Sequence, residues 1–387
     1  MWKRSPGSQD FNPAQYPKII PFTGYSASDT KKMKTSLAIP VKKIAKSKLP
    51  EINFSNLAFG KVISDHMFVA DYVNGEWTDL RIEPYASLQL DPANAALHYG
   101  QSIFEGMKAY KNEKGEILIF RGDANARRMN ESAARMCMPE IPEEIFMEGL
   151  LQLVDLDRNW VPTGKGSSLY IRPFMFAMDN YIGVKPSDTY KFIIFTCPVG
   201  AYYSKPVNVK VETKWTRATE GGTGAAKTAG NYAASLYPAL QAQKAGYDQL
   251  LWTDGKSHSK IEESGTMNVM FDINGTLVTA PTHTGTILKG ITRDSVLQLA
   301  KDWGKPVEER FLTVSELVEA IENGTLKEAF GTGTAATIAH IAKINIEGKD
   351  YTMPSKGPEA FSHKVLAELD GIKYGEIEDP HHWIVKI

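Results

Sequence analysis

The stretch "GGTGAAKTAGNY", residues 221–232, sets a lysine and a threonine behind clustered glycines. One chemistry that uses such a pattern is phosphate binding. A nucleotide phosphate loop needs glycine directly before its lysine, so that the backbone can wrap the phosphate, and a buried strand just upstream. Ala226 stands at the first position and the polar "TKWTRATEGGTG" at the second, so that reading fails twice. The other chemistry is nucleophilic. A lysine amine attacks a carbonyl when burial or a neighbouring cation depresses its pKa. Ala225, Ala226, Thr228, Ala229 and Gly230 around Lys227 leave room for a flat ring such as pyridoxal phosphate. On these residues alone an exposed loop lysine is the plainer reading.

A second stretch, "IEESGTMNVMF", bears on the choice. A pyridoxal ring needs a carboxylate at its nitrogen, because the protonated ring is the better electron sink. Glu263 sits just before a strand-like run, where a buried acid is costly without a cationic partner. A solvated acid pair, Glu262 and Glu263, is the alternative.

These groups must be held by a chain of 387 residues, longer than one hydrophobic core usually serves, so two domains of roughly 150 to 200 residues are expected. Hydrophobic residues at 42% and charged residues at 23% fit a soluble globular protein rather than a disordered one. Lys and Arg number 44 against 45 Asp and Glu, which gives no field to steer nucleic acid and points to a small-molecule partner. No apolar run suggests a membrane span. Cys137 and Cys197 make neither a disulfide framework nor a paired-thiol site, and a cytoplasmic setting fits. Adjacent His381 and His382 cannot share one helical face of a metal site, so no metal is expected.

Residues 1–48 are basic, with Asp10 and Asp29 the acids set against a run of lysines. That segment reads as a poorly ordered arm; it is lysine-rich rather than arginine-rich and contains Pro6, Pro13, Pro17 and Pro21, against an organelle leader, and Met33 could be an internal start. "HMFVADYV", "EILIF", "SLYIRPF" and "YKFIIFTCPV" read as strands. "GDANARRMNESAARMCM", with Asp123 as N-cap, and "PEEIFMEGLLQLVDL" read as helices. "GAYYSKP" marks a boundary at 199–206. Beyond it "VNVKVETKW", "YDQLLWT", "MNVMFDI" and "GTLVTA" read as strands. "NYAASLYPALQAQKAG" reads as a helix kinked at Pro238, and "TRDSVLQLAKDWG" and "TVSELVEAIENG" as helices closed by glycine. The chain thus divides into a small domain at 49–198, an interdomain loop at 199–206 and a large domain at 207–387 that carries Lys227.

Taken together, "GGTGAAKTAGNYAASL", "EESGTMN", "ILKGITRDS", "HYGQSIFEGMKAY", "LYIRPF" and "CPVGAYY" resemble the branched-chain amino acid aminotransferases, fold-type IV pyridoxal phosphate enzymes. The resemblance runs from about Leu49 to the C-terminal "YGEIEDPHHWIV". It implies an α+β chain of two mixed α/β domains, D-amino acid aminotransferase-like, joined by a short interdomain loop. It implies transfer of the amino group of L-leucine, L-isoleucine or L-valine to 2-oxoglutarate, giving a branched-chain 2-oxo acid and L-glutamate by a ping-pong route. D-amino acid aminotransferase and aminodeoxychorismate lyase share the fold, but "FEGMKAY" and "EESGTMN" lean against both.

Carried over by motif, Lys227 is the Schiff-base lysine and proton shuttle, Tyr232 bonds the cofactor's phenolic oxygen, and Glu263 pairs with the ring nitrogen. Arg121, Gly290, Ile291, Thr292 and Thr334 surround the phosphate. Phe59, Tyr99, Phe104 and Tyr170 wall the side-chain pocket, and Arg172 meets the distal carboxylate of glutamate. Thr266 and the amides of Thr334 and Ala335 serve the substrate. Ile182 and Val184 close the site of the other subunit of a homodimer. Ala336 and Ala339 stand where mammalian relatives carry paired cysteines, so thiol regulation is not expected there.

Overall fold

Tyr190–Val199 is apolar almost throughout, and it becomes an interior strand of a sheet, buried on both faces. The computed structural model describes residues 37–200, 205–354 and 357–387. The first sheet is built from β1 (His66–Val73), β2 (Glu76–Pro84), β3 (Ser102–Phe104), β4 (Met107–Lys111), β5 (Ile117–Phe120), β6 (Ser168–Ala177) and β7 (Tyr190–Val199). Helices α1 (Ala95–Tyr99), α2 (Gly122–Arg135) and α3 (Glu143–Leu156) lie between its strands in the chain. Strand order is β5-β4-β6-β7-β1-β2, with β3 paired to β6.

Alternation along β6 assigns the two faces. Leu169, Ile171 and Met175 enter the core with Met129 and Ala133 of α2 and Phe146, Leu150 and Leu153 of α3. Tyr170 and Arg172, one residue out of phase, are left to the opposite face. The N-cap of α2 is Arg121, at φ 52, not Asp123 as the sequence suggests. The Asp123 carboxylate sits in the first turn and accepts from Arg127 Nη2 at 2.6 Å, so it is engaged by a pair four residues along the helix.

The second half forms β8 (Val207–Glu212), α4 (Ala229–Lys244), β9 (Gln249–Thr253), β10 (Ile261–Ser264), β11 (Met267–Ile273), β12 (Thr276–Thr279), α5 (Ile291–Asp302), β13 (Val307–Glu309), α6 (Val314–Glu322), β14 (Leu326–Gly333), β15 (Thr337–Ile346), β16 (Lys349–Thr352) and α7 (Phe361–Lys373). Its strands run β10-β9-β8-β15-β14-β11, and β11 pairs back onto β10. This closes a six-stranded barrel, and β13 and β16 remain as edge strands of the part that extends beyond it. The "NG" turn between β11 and β12 has both residues at positive φ, 52 for Asn274 and 87 for Gly275, as a tight hairpin needs.

The expected strands and helices form, and Pro238 lies inside α4. Two boundaries differ from the sequence reading. The last strand, β17 (Ile384–Lys386), leaves the second half and pairs antiparallel with β5, so the chain end belongs to the first sheet. Residues 37–48 leave Lys42, Lys43 and Lys46 exposed but are attached rather than loose: Ile39 is buried, the Lys42 amide donates to Ile82 O at 2.8 Å, and the Ile44 amide donates to His66 Nε2 at 2.9 Å. The rest of the basic segment, Met33 and residues 201–204 of the expected interdomain loop lie outside the described residues.

Candidate active site

Lys227 lies in the loop between β8 and α4, and its backbone is tied to α2 on one side and to β3 on the other. Its amide donates to Ser132 Oγ of α2 at 2.9 Å, and its carbonyl accepts from the Phe104 amide at 3.0 Å. The side chain is therefore aimed from a fixed base. Nζ donates to Tyr232 Oη at 2.7 Å and lies 4.7 Å from the centre of the Phe104 ring. Tyr232 reaches it because it stands in the first turn of α4, five residues on.

Glu263 is on β10 itself, not merely before a strand, and is buried. It faces Asn268 across the β10–β11 hairpin. Its Oε1 accepts from Asn268 Nδ2 at 3.0 Å and from the Leu288 amide at 3.2 Å, while Oε2 is 2.7 Å from Arg217 Nε. Burial pushes the carboxyl pKa up, and Arg217 opposes that shift. Asn268 in turn needs Gly290: a Cβ there would fall 1.9 Å from Asn268 Oδ1.

Both groups open onto one cavity of about 180 Å³. Its far wall is the start of α5, where Gly290 is an N-cap without a side-chain hydrogen bond and the first amides are free to meet an anion. Ile291, Thr292, Thr332, Thr334 and Ala335 line the same wall, and Thr332 Oγ1 is buried without a hydrogen-bond partner among the described residues.

Arg121 does not line this cavity. Its Nη1 donates to Asp294 Oδ2 at 2.6 Å and Ser295 Oγ at 2.9 Å, and its guanidinium lies 5.4 Å from the Trp383 ring. It sits at the end of β5 and is occupied in holding the outer side of α5. Arg128, two turns into α2 and buried, lines the cavity instead. Glu105 clamps it through Nε at 2.8 Å and Nη2 at 2.7 Å, and Nη1 donates to Lys289 O at 3.0 Å. Helix phase accounts for its place, since Arg128 and Ser132 are four residues apart and Ser132 holds Lys227. Arg217, Asn268 and Glu105 also escape the sequence reading, because no local pattern distinguishes them.

At the open end stand Phe59, Phe104, Tyr170, Arg172 and Thr266. The Phe59 and Tyr170 rings meet edge-on at 4.9 Å. Arg172 lies 4.7 Å from the Phe104 ring centre, and its Nη2 donates to Tyr170 Oη at 3.0 Å. Gly106 makes room for this tyrosine: a Cβ at Gly106 would lie 2.1 Å from Tyr170 Oη. Tyr99, Ile182 and Val184 are not in the cavity wall of their own chain and are exposed. His381, read as structural, is engaged by Asp302 at 2.8 Å and stacks on Trp383.

The family model described as amino-transferase class IV matches residues 102–344. Branched-chain-amino-acid transaminase 1 of Bacillus subtilis is 46% identical over 338 residues, covering 86% of this chain and 95% of that protein. The chain belongs to the branched-chain amino acid aminotransferases of class IV. A branched-chain-amino-acid aminotransferase of Mycolicibacterium smegmatis is 42% identical over 342 residues, covering 86% of this chain and 93% of its own. Among solved aminotransferases, that of Escherichia coli superposes with a TM-score of 0.67 at 28% identity, over 81% of this chain and 98% of its own. The aminotransferase of Thermobaculum terrenum, in its PLP form, gives 0.68 at 25% identity over 82% and 97%. A third solved branched-chain aminotransferase, complexed with N-(5'-phosphopyridoxyl)-L-glutamate, gives 0.66 at 25% over 82% and 97%. The aminotransferase fold thus accounts for both the barrel and the sheet beside it.

Proposed function

We propose that the chain uses pyridoxal 5'-phosphate at this cavity to move the amino group of L-leucine, L-isoleucine or L-valine reversibly to 2-oxoglutarate. The observation that carries the reading is that Lys227 Nζ and the buried Glu263 carboxylate open onto one cavity whose far wall is a free helix N-terminus. The donor set fits the group: an amine for its carbonyl, an acid for its ring nitrogen, and amides with a guanidinium for its phosphate. When bound, the cofactor would supply an electron sink that acidifies the α C–H of an amino acid.

The chain's own residues do the rest. Lys227 holds the cofactor between turnovers and, once displaced by substrate, accepts the α-proton at Nζ. Tyr232 Oη orients that amine. Glu263, its charge supported by Arg217, favours a protonated ring nitrogen. Arg128, the amides of Ile291 and Thr292, and Thr334 hold the phosphate; Arg128 takes the part that the motif assigns to Arg121. Thr266 and the loop at Thr334 and Ala335 face the substrate carboxylate.

Two unlike side chains share the remaining space. Phe59, Phe104 and Tyr170 offer large rigid area to a branched aliphatic group. Arg172 keeps its charge satisfied against two rings and the Tyr170 hydroxyl, so the apolar substrate does not strand it. Its buried Nε has no hydrogen-bond partner among the described residues, which leaves a donor for the distal carboxylate of glutamate or 2-oxoglutarate. The exposure of Tyr99, Ile182 and Val184 supports a homodimer in which this surface closes the partner's site. We place the enzyme in the cytoplasm; no helix among the described residues is long and apolar enough to cross a membrane.

Visible absorbance of the purified protein tests the reading. L-leucine is expected to bleach the cofactor band and 2-oxoglutarate to restore it, while D-alanine leaves it unchanged. In Lys227→Ala both changes are lost, with kcat down by about 10³-fold. A protein that takes up no pyridoxal phosphate, or one bleached by D-alanine alone, would overturn it.

A further inference from the structure

Behind the turn at residues 334–336, which joins β14 to β15, lies a second cavity of about 310 Å³. Ala335 and Ala336 form a wall common to both cavities. Into the rear cavity comes Lys108 of β4, 9% exposed, whose Nζ donates to Ala335 O at 2.7 Å. The contact joins the first sheet to the barrel across 227 residues of chain. The other side of the turn is held by a second buried lysine. Lys373 of α7 donates to Thr337 Oγ1 at 2.7 Å and has Asp370 at 3.4 Å as its counter-charge. Thr337 sits at φ 60, a left-handed conformation that is rare for a β-branched residue and needs such an anchor.

A peptide unit is planar and trans, so its carbonyl and its N–H point in opposite directions. With the Ala335 carbonyl drawn to the rear by Lys108, the N–H of Ala336 is turned toward the front cavity. We propose that Lys108 is a positioning residue for the substrate's α-carboxylate: it fixes the orientation of the peptide between Ala335 and Ala336, and so of the turn that presents amides to that anion. The proposal rests on the functional reading above and extends it, since Lys108 lines the rear cavity and not the front one. An ammonium behind the turn also adds positive potential to the amide face, where an anion is to bind.

The groups around Lys108 give the arrangement a pH signature. Burial and the charge of Lys373 lower the Lys108 pKa to about 7, against the opposing pull of Asp370. Tyr110 on its own strand, with Lys205, His340 and Tyr374 around the same cavity, are the other titratable groups there. Tyr110 and Tyr374 are pushed upward and His340 downward, while Lys373 stays buried beside Asp370. Below about pH 7 the bond to Ala335 O is charge-assisted; above it, Lys108 is neutral and the hold weakens.

The test uses the holoenzyme, L-leucine as substrate and 4-methylpentanoate as a carboxylate inhibitor that does not itself titrate near neutrality. Lys108→Met is expected to raise KM for L-leucine and Ki for 4-methylpentanoate about tenfold each, with kcat changed less than about threefold, and Lys108→Arg to recover most of the loss. In the unaltered enzyme Ki should rise as pH passes upward through about 7, and in Lys108→Met it should be flat. A Ki within twofold of the unaltered enzyme, or a loss confined to kcat, overturns the proposal. Should Lys108→Met fail to fold, Lys108→Arg and the pH profile of the unaltered enzyme decide it alone, a flat profile counting against it. If the unaltered holoenzyme does not turn over L-leucine at all, the functional reading falls first and takes this proposal with it.

Discussion

Glu263 depends on a partner that makes its buried charge tolerable. That partner is Arg217, 9% exposed at its side chain against 5% for the acid. Removing one member of a buried ion pair leaves the other uncompensated, at a cost of about 3–5 kcal/mol. Arg217→Met is therefore expected to favour the protonated form of Glu263, which no longer supports a protonated ring nitrogen. Cofactor retained after dialysis and kcat should both fall, while Glu263→Gln in the same background adds little more. A full additional loss on the second substitution would show that the two residues act independently.

Elements decide which of two similar residues is used. Arg121 and Arg128 are both close to α5, yet Arg121 ends β5 and holds the outer side of that helix, whereas Arg128 rides α2 onto the cavity. Arg128→Met should weaken pyridoxal phosphate binding at least tenfold, roughly the strength of one charge-assisted contact, as measured by cofactor titration of the apoprotein. Arg121→Met should leave that affinity within about twofold and lower the melting temperature instead, because its bonds to Asp294 and Ser295 dock α5. The opposite pattern would return the phosphate to Arg121. In the sequence the two cannot be separated by local pattern: "LIFRGD" places an arginine at a strand end, the familiar position for a loop ligand, and the helix phase that brings Arg128 inward becomes visible only with Ser132 beneath Lys227. Asp123 misleads for a similar reason, since an N-cap residue and a first-turn residue differ by two positions and share the same preference for acids.

At the scale of the molecule, the unmet demand is the surface around Tyr181, Ile182 and Val184, exposed at 52%, 68% and 89%. Large apolar side chains grouped on a loop are expected to mark an interface. Ile182→Asp combined with Val184→Asp should shift the protein toward monomer in size-exclusion chromatography and reduce kcat/KM for L-leucine by at least tenfold, with the far-ultraviolet circular dichroism unchanged. An unchanged elution volume with full activity would place this loop outside any interface.

The chemistry and most of the elements are legible along the chain. A lysine among small residues, an acid before "SGTMN", and the glycine-bounded start of α5 are local features, and alternation or helical spacing is enough to mark strands and helices. The wall residues Phe59, Phe104, Tyr170 and Arg172 are legible too, through motif rather than through physics. What spans long separations in the chain is settled only by folding. The closing pair of the barrel, the return of Ile384–Lys386 to β5, the attachment of residues 37–48 to β1 and β2, and the pairings of Arg217 with Glu263 and Glu105 with Arg128 have no local signature. Each is a contact between residues whose types are ordinary where they stand. Their roles come from low-dielectric surroundings and specific neighbours, which exist only once the sheet and the barrel have enclosed the cavity.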